Sequence, residues 1–247
     1  MEEEKRIAVL IDADNVSYKY IKFILDEIAT IGVPTYKRIY GDWTSAQHVA
    51  WKSVLLENSI MPIQQYSYTT GKNATDSALI IDAMDILYSG NVDGFCIVSS
   101  DSDFTRLAAR LRESGMLVIG MGEQKTPKAF IKACERFKYL EALSDEPMQE
   151  EATEEKHEAP KTEEKTEEEL KNLTRALRKI INEVSDDDGW AFLGDVGNIL
   201  AKRFPDFDTR NYGYSKLSKF LSSLKDFEID SRPTSNPHIT HKYIRIK

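Results

Sequence analysis

Four aspartates carry the strongest chemical signal in the chain. Asp12 closes a run of aliphatic and β-branched residues in LIDADN, and Asp101 and Asp103 follow a second such run in IVSSDSDF. Both runs read as buried strands. Their acids therefore fall outside strand carboxyl ends, where a parallel sheet presents residues to a ligand. One such acid is ordinary, because Asp often caps the helix that follows. Two acidic strand ends in one sheet are harder to assign to capping alone. The remaining acid comes from a helix. Taking about 100° per residue from Asp76, Ile80, Ala83 and Leu87 lie within about 40° of it, whereas Asp82 falls near about 240° and Asp85 near about 180°. Asp76 is thus predicted in line with the buried stripe, and Asp82 and Asp85 towards its edge and the solvent. An inward-facing acid costs on the order of several kcal/mol in desolvation unless something pairs with it. A divalent cation, Lys72 or the amides of the first helical turn could supply that pairing.

Converging Asp12, Asp76, Asp101 and Asp103 sets negative charges against one another, which raises their pKa values in the absence of a cation. Hard oxygen ligands suit Mg2+ or Mn2+, and the chain offers no His/Cys set for zinc. Such a site serves phosphodiester hydrolysis, since the metal orients a water, lowers its pKa and neutralises charge on the phosphate. Other chemistries lack support. Cys96 and Cys134 sit in apolar stretches without a partner at metal spacing and are expected to be buried free thiols. No GxGxxG or Walker pattern occurs; GMGEQKTP holds a glycine pair only, so no nucleotide cofactor is expected.

The elements that must position these acids alternate along the first part of the chain. Strands are predicted over residues 6–12, 33–41, 60–68, 94–99 and 116–121, and helices over 16–31, 45–58, 74–88, 104–114 and 127–137. That alternation predicts an α/β fold, a parallel sheet with helices on both faces. Further on, Leu170, Leu173, Leu177, Ile180, Ile181 and Val184 form one helical stripe. Helices are predicted over 190–204 and 214–224. Strands are predicted over 227–231 and 239–246, around a turn-rich stretch. Three helices and a two-stranded wing describe a small winged helix-turn-helix.

Charge separates the two parts. The net charge is -8, yet residues 144–169 hold 12 acidic and 3 basic residues, while residues 170–247 hold 14 basic and 10 acidic. The acidic stretch lacks aromatics and apolar periodicity, so it reads as a linker that cannot offset its ordering entropy, with its end, from about Glu163, expected to join the next helix. The expected division is a first domain over 1–143, a linker over 144–167 and a second domain over 168–247. The acidic global balance does not exclude a nucleic-acid partner, because the last part is basic. Hydrophobic residues make up 41% of the chain, enough for a core, with no run resembling a signal peptide or membrane span. A soluble, cytoplasmic protein is expected.

Taken together, LIDADN, KNATDSALIIDAMD and IVSSDSDFTRLAARLRESGMLVIGMG resemble the NYN domain of the PIN-like nucleases, close to its bacterial LabA-like branch, over about residues 5–140. The resemblance implies a Rossmann-like sheet, an acidic metal site and cleavage of RNA. It maps the first acid to Asp12, the helix acid to Asp76 and the last pair to Asp101 and Asp103. Asn15 matches the Asn of the opening motif, which implies a role in positioning a ligand or the loop. Asp82 matches a recurring family acid, although its helix angle does not suit a direct ligand. Asp42, in YGDW, is a weaker candidate. A DxD also opens haloacid-dehalogenase-type phosphatases and Toprim folds. The former want a Gly/Ser pattern where Val16, Ser17 and Tyr18 stand, and the latter want a Glu on an earlier strand.

For the substrate, Tyr66, Tyr68 and Lys72 in YSYTTGKN are candidates to meet bases and a phosphate, with Arg38, Trp43, Arg106 and Lys125 ranked below them. GWAFLGDVGNILAKRFPDFDTRNYGYSKLSKFL resembles the OST-HTH, or LOTUS, domain over roughly residues 168–247. That resemblance implies RNA binding, including G-rich structured RNA, and in some members a protein partner. Arg210, Lys216, Lys219, Arg232 and Lys242 are the residues expected to face phosphates. Trp190, Phe192, Phe204, Phe207 and Phe220 are assigned to the core. The function expected is a metal-dependent endoribonuclease directed to single-stranded or structured RNA by its second domain. The alternative is a non-catalytic RNA-binding adaptor of the same folds.

Overall fold

The first apolar run becomes the central strand β1 (Arg6–Asp12), buried at every position after the first. The computed structural model describes residues 4–66, 74–143, 162–233 and 240–247. The chain divides into two compact units, Met1–Met148 and Gln149–Lys247.

In the first unit, β1 is followed by α1 (Ile21–Ala29), β2 (Val33–Gly41), α2 (Trp51–Glu57) and β3 (Met61–Gln64). Then come α3 (Ala74–Ser89), β4 (Gly94–Val98), α4 (Thr105–Glu113), β5 (Leu117–Gly122), α5 (Lys128–Ala133), β6 (Arg136–Tyr139) and α6 (Leu140–Leu143). The sheet has six strands in the order β3-β2-β1-β4-β5-β6, every pair parallel. The chain moves outward from β1 to β3 and then returns to lay β4 on the other side of β1. The strand order therefore reverses between β1 and β4, which is where such sheets open a crevice. Alternate residues of β1 serve opposite faces. Ile7, Val9 and Ile11 pack with Ile21, Ile24 and Ile28 of α1, whereas Ala8 and Leu10 pack with Leu79, Ala83 and Ile86 of α3.

The predicted helix over 127–137 is corrected. α5 stops at Ala133, and Arg136–Tyr139 pairs with β5 as a sixth strand. Phe137 turns inward and is fully buried, against the exposed Arg136. The glycine pair of β5 makes room for this turn: a Cβ on Gly120 would lie 2.6 Å from the Phe137 ring and 2.7 Å from Cys134 Sγ. The helix predicted over 16–31 opens as a single 3-10 turn, Tyr18–Tyr20, before α1. Both cysteines are free and buried, and burial pushes the Cys134 thiol up to about 12.

The second unit contains α7 (Thr162–Val184), β7 (Ala191–Phe192), α8 (Leu193–Arg203), α9 (Leu217–Ser223), β8 (Phe227–Pro233) and β9 (Thr240–Ile246). Its antiparallel sheet has the order β7-β9-β8. The core takes Leu173, Leu177, Ile180 and Ile181 from α7, Val196 and Leu200 from α8, and Phe220 and Leu221 from α9, closed by Phe227 and Ile244. Residues 162–167 form the start of α7, and 144–161 lie outside the described residues. Two expectations change. The predicted helix over 190–204 begins later, because Ala191 and Phe192 pair with β9 and give the wing a third strand. Strand alternation buries Ala191 and turns Phe192 outward, 36% exposed, so Phe192 does not join the core. Among the described residues no helix is long and apolar enough to cross a membrane.

Candidate functional site

β1 and β4 deliver the first acids to the crevice. Asp12 is fully buried, and its carboxylate is held on both oxygens. Oδ1 accepts the Asp14 N–H at 3.0 Å, and Oδ2 accepts the Asn15 Nδ2 at 2.8 Å and the Ser99 hydroxyl at 2.7 Å. Ser99 lies just past β4, and its Oγ also accepts the Asp101 N–H at 3.1 Å. A single buried hydroxyl thus joins the end of β1 to the acidic loop after β4. Burial pushes the Asp12 carboxyl up, against the lowering effect of the bonds from Ser99, Asn15 and the Asp14 N–H. Asp101 caps the short turn Ser102–Phe104, accepting the Asp103 N–H at 2.9 Å. Ser100 accepts the Glu123 N–H at 2.9 Å and fixes the other side of the loop.

Asp76 arrives from the first turn of α3 and is buried. It brings one carboxylate oxygen together with one each from Asp101 and Asp103, all within 4.8 Å of one another. Its carboxyl is pushed up to about 6, first by burial and then by the charges of Asp12, Asp101, Asp103 and Asp14. Three converging carboxylates, one of them resisting ionisation, form a donor set that a hard divalent cation would satisfy. Asp12 stands outside this triple, close enough to be felt by Asp76.

Other predicted positions fall elsewhere. Asn15 holds Asp12. Asp82 pairs with Arg38 and with the Tyr40 hydroxyl, whose pKa rises through burial and then through that bond. The side chains of Arg38 and Asp82 are 24% and 20% exposed, so this is a half-buried structural pair. The buried line of α3 runs through Thr75, Asp76, Leu79, Ala83 and Ile86. That line is centred near about 300° from Asp76, which leaves Asp82 at its edge and Asp85 exposed, as their helix angles predict. Asp42 accepts from Thr44 N–H and from Gln64 Nε2 at 2.9 Å, bracing its own loop. Lys72 and Tyr68 lie outside the described residues, and Tyr66 is 55% exposed.

Sequence reasoning missed Ser99, Ser100 and Asp14. Asp14 faces His48, whose Nε2 lies 3.3 Å from its carboxylate and whose Nδ1 is 2.9 Å from the Asp42 carbonyl. The signal for Asp14 was the second Asp of LIDADN; the serines gave none beyond their place beside the acids.

In the second unit, Arg210 is engaged by Asp208 through Nε and Nη2 at 3.1 and 2.7 Å. Lys216 is the N-terminal cap position of α9, and Lys219 is exposed one turn into it. The Trp190 ring meets two guanidinium groups, 5.1 Å from Arg232 and 4.6 Å from Arg245. These arginines pair with Asp230 and Glu228.

Comparison with known proteins agrees with this division. The NYN domain matches residues 6–141, and the chain belongs to that family. The OST-HTH/LOTUS domain matches residues 168–239. NYN domains are PIN-like nuclease domains, and OST-HTH/LOTUS domains bind RNA. Among solved structures, a protein of unknown function from Vibrio parahaemolyticus is 20% identical over 56% of this chain and 93% of its own, with a TM-score of 0.46. An uncharacterised protein from Nitrosomonas europaea is 31% identical over 42% of this chain and 89% of its own, with a TM-score of 0.27. A protein from Chromobacterium violaceum is 34% identical over 31% of this chain and 78% of its own, with a TM-score of 0.25. No curated protein matches the chain.

Proposed function

We propose that this NYN-family chain is a cytoplasmic, Mg2+- or Mn2+-dependent endoribonuclease of the LabA-like kind, whose OST-HTH/LOTUS domain delivers RNA to the acidic crevice. The observation that carries the reading is the convergence of Asp76, Asp101 and Asp103, with Asp76 pushed up to about 6 among its neighbours. Asp76, Asp101 and Asp103 would hold a dication, which would supply a water of lowered pKa and charge neutralisation at the scissile phosphate. Asp12 adds to the anionic wall, and Ser99 and Asn15 fix its orientation. Ser99 also fixes the loop that carries Asp101 and Asp103, so the carboxylates are set before substrate arrives. Lys216 and Lys219 would hold RNA phosphates. Arg210, committed to Asp208, would contribute less to that surface.

The deciding test compares cleavage of defined single-stranded RNAs by the parent chain and by Asp101→Asn, with Mn2+ and with chelator. Cleavage is expected only with metal, and the substitution is expected to lower it by on the order of a thousandfold while leaving the thermal unfolding curve intact. If the parent binds RNA yet cuts none with Mn2+, the chain is an RNA-binding adaptor instead.

A further inference from the structure

The second unit carries two adjoining depressions that the reading above does not use. One is an open groove of about 440 Å³ between the start of α8 and β9. Phe192 and His241 wall it, their ring centroids 5.2 Å apart, and Leu193 and Leu217 add apolar surface. Its helical side is formed by Gly194, Gly197 and Asn198, with the Phe192 ring seated against Gly194 and Leu217 against Gly197. The other is a polar trough lined by Ser218, Lys219, Ser222, Ile229, Ser231 and Lys242. Lys242 belongs to both, and its Nζ is 3.0 Å from Ser218 Oγ. Among the described residues, no acid lines either depression.

We propose that these depressions form a single nucleotide subsite, in which an unpaired base of single-stranded RNA enters the groove against Phe192 and His241 while its flanking phosphates follow the Lys219–Lys242 trough. The proposal rests on the RNA-binding reading of the second domain and adds where and how the strand is held. Single-stranded nucleic acid combines flat apolar bases with a regular anionic backbone. An aromatic slot opening onto lysines and hydroxyls, without acids, matches both. The outward turn of Phe192 supports the assignment: its own strand buries Ala191, while the larger ring stays 36% exposed beside His241. A partner of purely apolar chemistry would leave the lysines of the trough without a counter-charge. Specificity would come from the groove, where Asn198 offers an amide to a base edge. The trough would respond to any sequence.

The test uses the full chain in chelator at low salt, with a single-stranded RNA carrying 2-aminopurine at each position in turn. Stacking in the groove should quench the probe at one position. Phe192→Leu keeps an apolar wall but removes the flat ring. It should abolish the quench and weaken binding by about five- to a hundredfold. His241→Ala, at an exposed position, should act in the same direction. Lys242→Gln should weaken binding of every sequence alike. Thermal unfolding of each variant verifies that the domain still folds. If Phe192→Leu and His241→Ala keep parental affinity and quench while Lys216→Glu loses binding, the strand lies on α9 and the groove is not its subsite. If the parent itself shows no RNA affinity at low salt, the RNA-binding reading fails and takes the subsite with it.

Discussion

In the first unit, aspartates from a strand end, a loop and a helix start are driven together at one sheet crevice. In the second, five of six arginines lie against acidic side chains: Arg178 with Asp226, Arg203 with Glu183, Arg210 with Asp208, Arg232 with Asp230 and Arg245 with Glu228. The first unit gathers like charge; the second neutralises most of its guanidinium charge locally. Burying like charges costs folding free energy and is sustained only by the packing around them. Surface ion pairs cost little and add little. The difference teaches where to look for specific chemistry. In the first unit the informative residues are the converging acids, of which Asp12 and Asp76 are buried. In the second, the arginines that dominate a simple charge count are committed to partners, and attention passes to the lysines and the outward-facing rings.

Asp76 should produce the larger effects. Asp76→Ala is expected to lower Mn2+ affinity by on the order of a hundredfold, measured by calorimetric titration, whereas Asp85→Ala, on the exposed side of α3, should leave it unchanged. Equal losses at both positions would remove the distinction between a buried functional acid and a solvated one. The same residue sets a pH dependence. Its carboxyl sits at about 6 in the folded chain against 3.8 for an ordinary Asp, so between those values the folded state holds more protons than the unfolded state. Stability in chelator should therefore fall as pH rises through that window, and Asp76→Asn should flatten the fall. With Mn2+ the slope should reverse, because metal binding requires the ionised carboxylate. Thermal melts from pH 4 to 7, with and without metal, measure both.

In the second unit the expected effect is electrostatic and graded. Lys216→Glu with Lys219→Glu should reduce the slope of log affinity against log salt by about two, since each lysine accounts for about one phosphate contact. An unchanged slope would mean that α9 does not face the RNA backbone. The smallest functional effect is expected at a pair that resembles the site only in composition. Asp82→Ala leaves Arg38 and Tyr40 without their acceptor, and should cost about 2 kcal/mol of stability with metal affinity unchanged.

Much of this organisation is legible in the sequence, and the exceptions share physical causes. β1, β4 and β5 are continuous apolar runs flanked by helices, and their burial on both faces leaves little choice of assignment. The inward direction of α3 was less determined. Leu79, Ile80, Ile81, Ala83, Met84, Ile86 and Leu87 spread apolar surface widely round the helix, so periodicity fixed its inward line only loosely. The helix angles nonetheless separate Asp76 on the buried line from Asp82 at its edge and Asp85 outside it. β6 and β7 are four and two residues long, shorter than any pattern can declare, and both are created by pairing with a neighbour rather than by propensity. Ser99 was invisible for a different reason: its importance lies wholly in what stands beside it across the sheet.

That last contact also governs timing. Ser99 and Asp12 are separated by 87 positions in the chain, and the hydroxyl that joins them exists only once β4 has paired with β1. During synthesis the segment bearing Asp12 leaves the ribosome long before its counterpart, and until the later strand docks there is no acidic crevice to occupy. The crevice therefore assembles only after residues 94–103 have joined the sheet, with the whole second unit still to be synthesised.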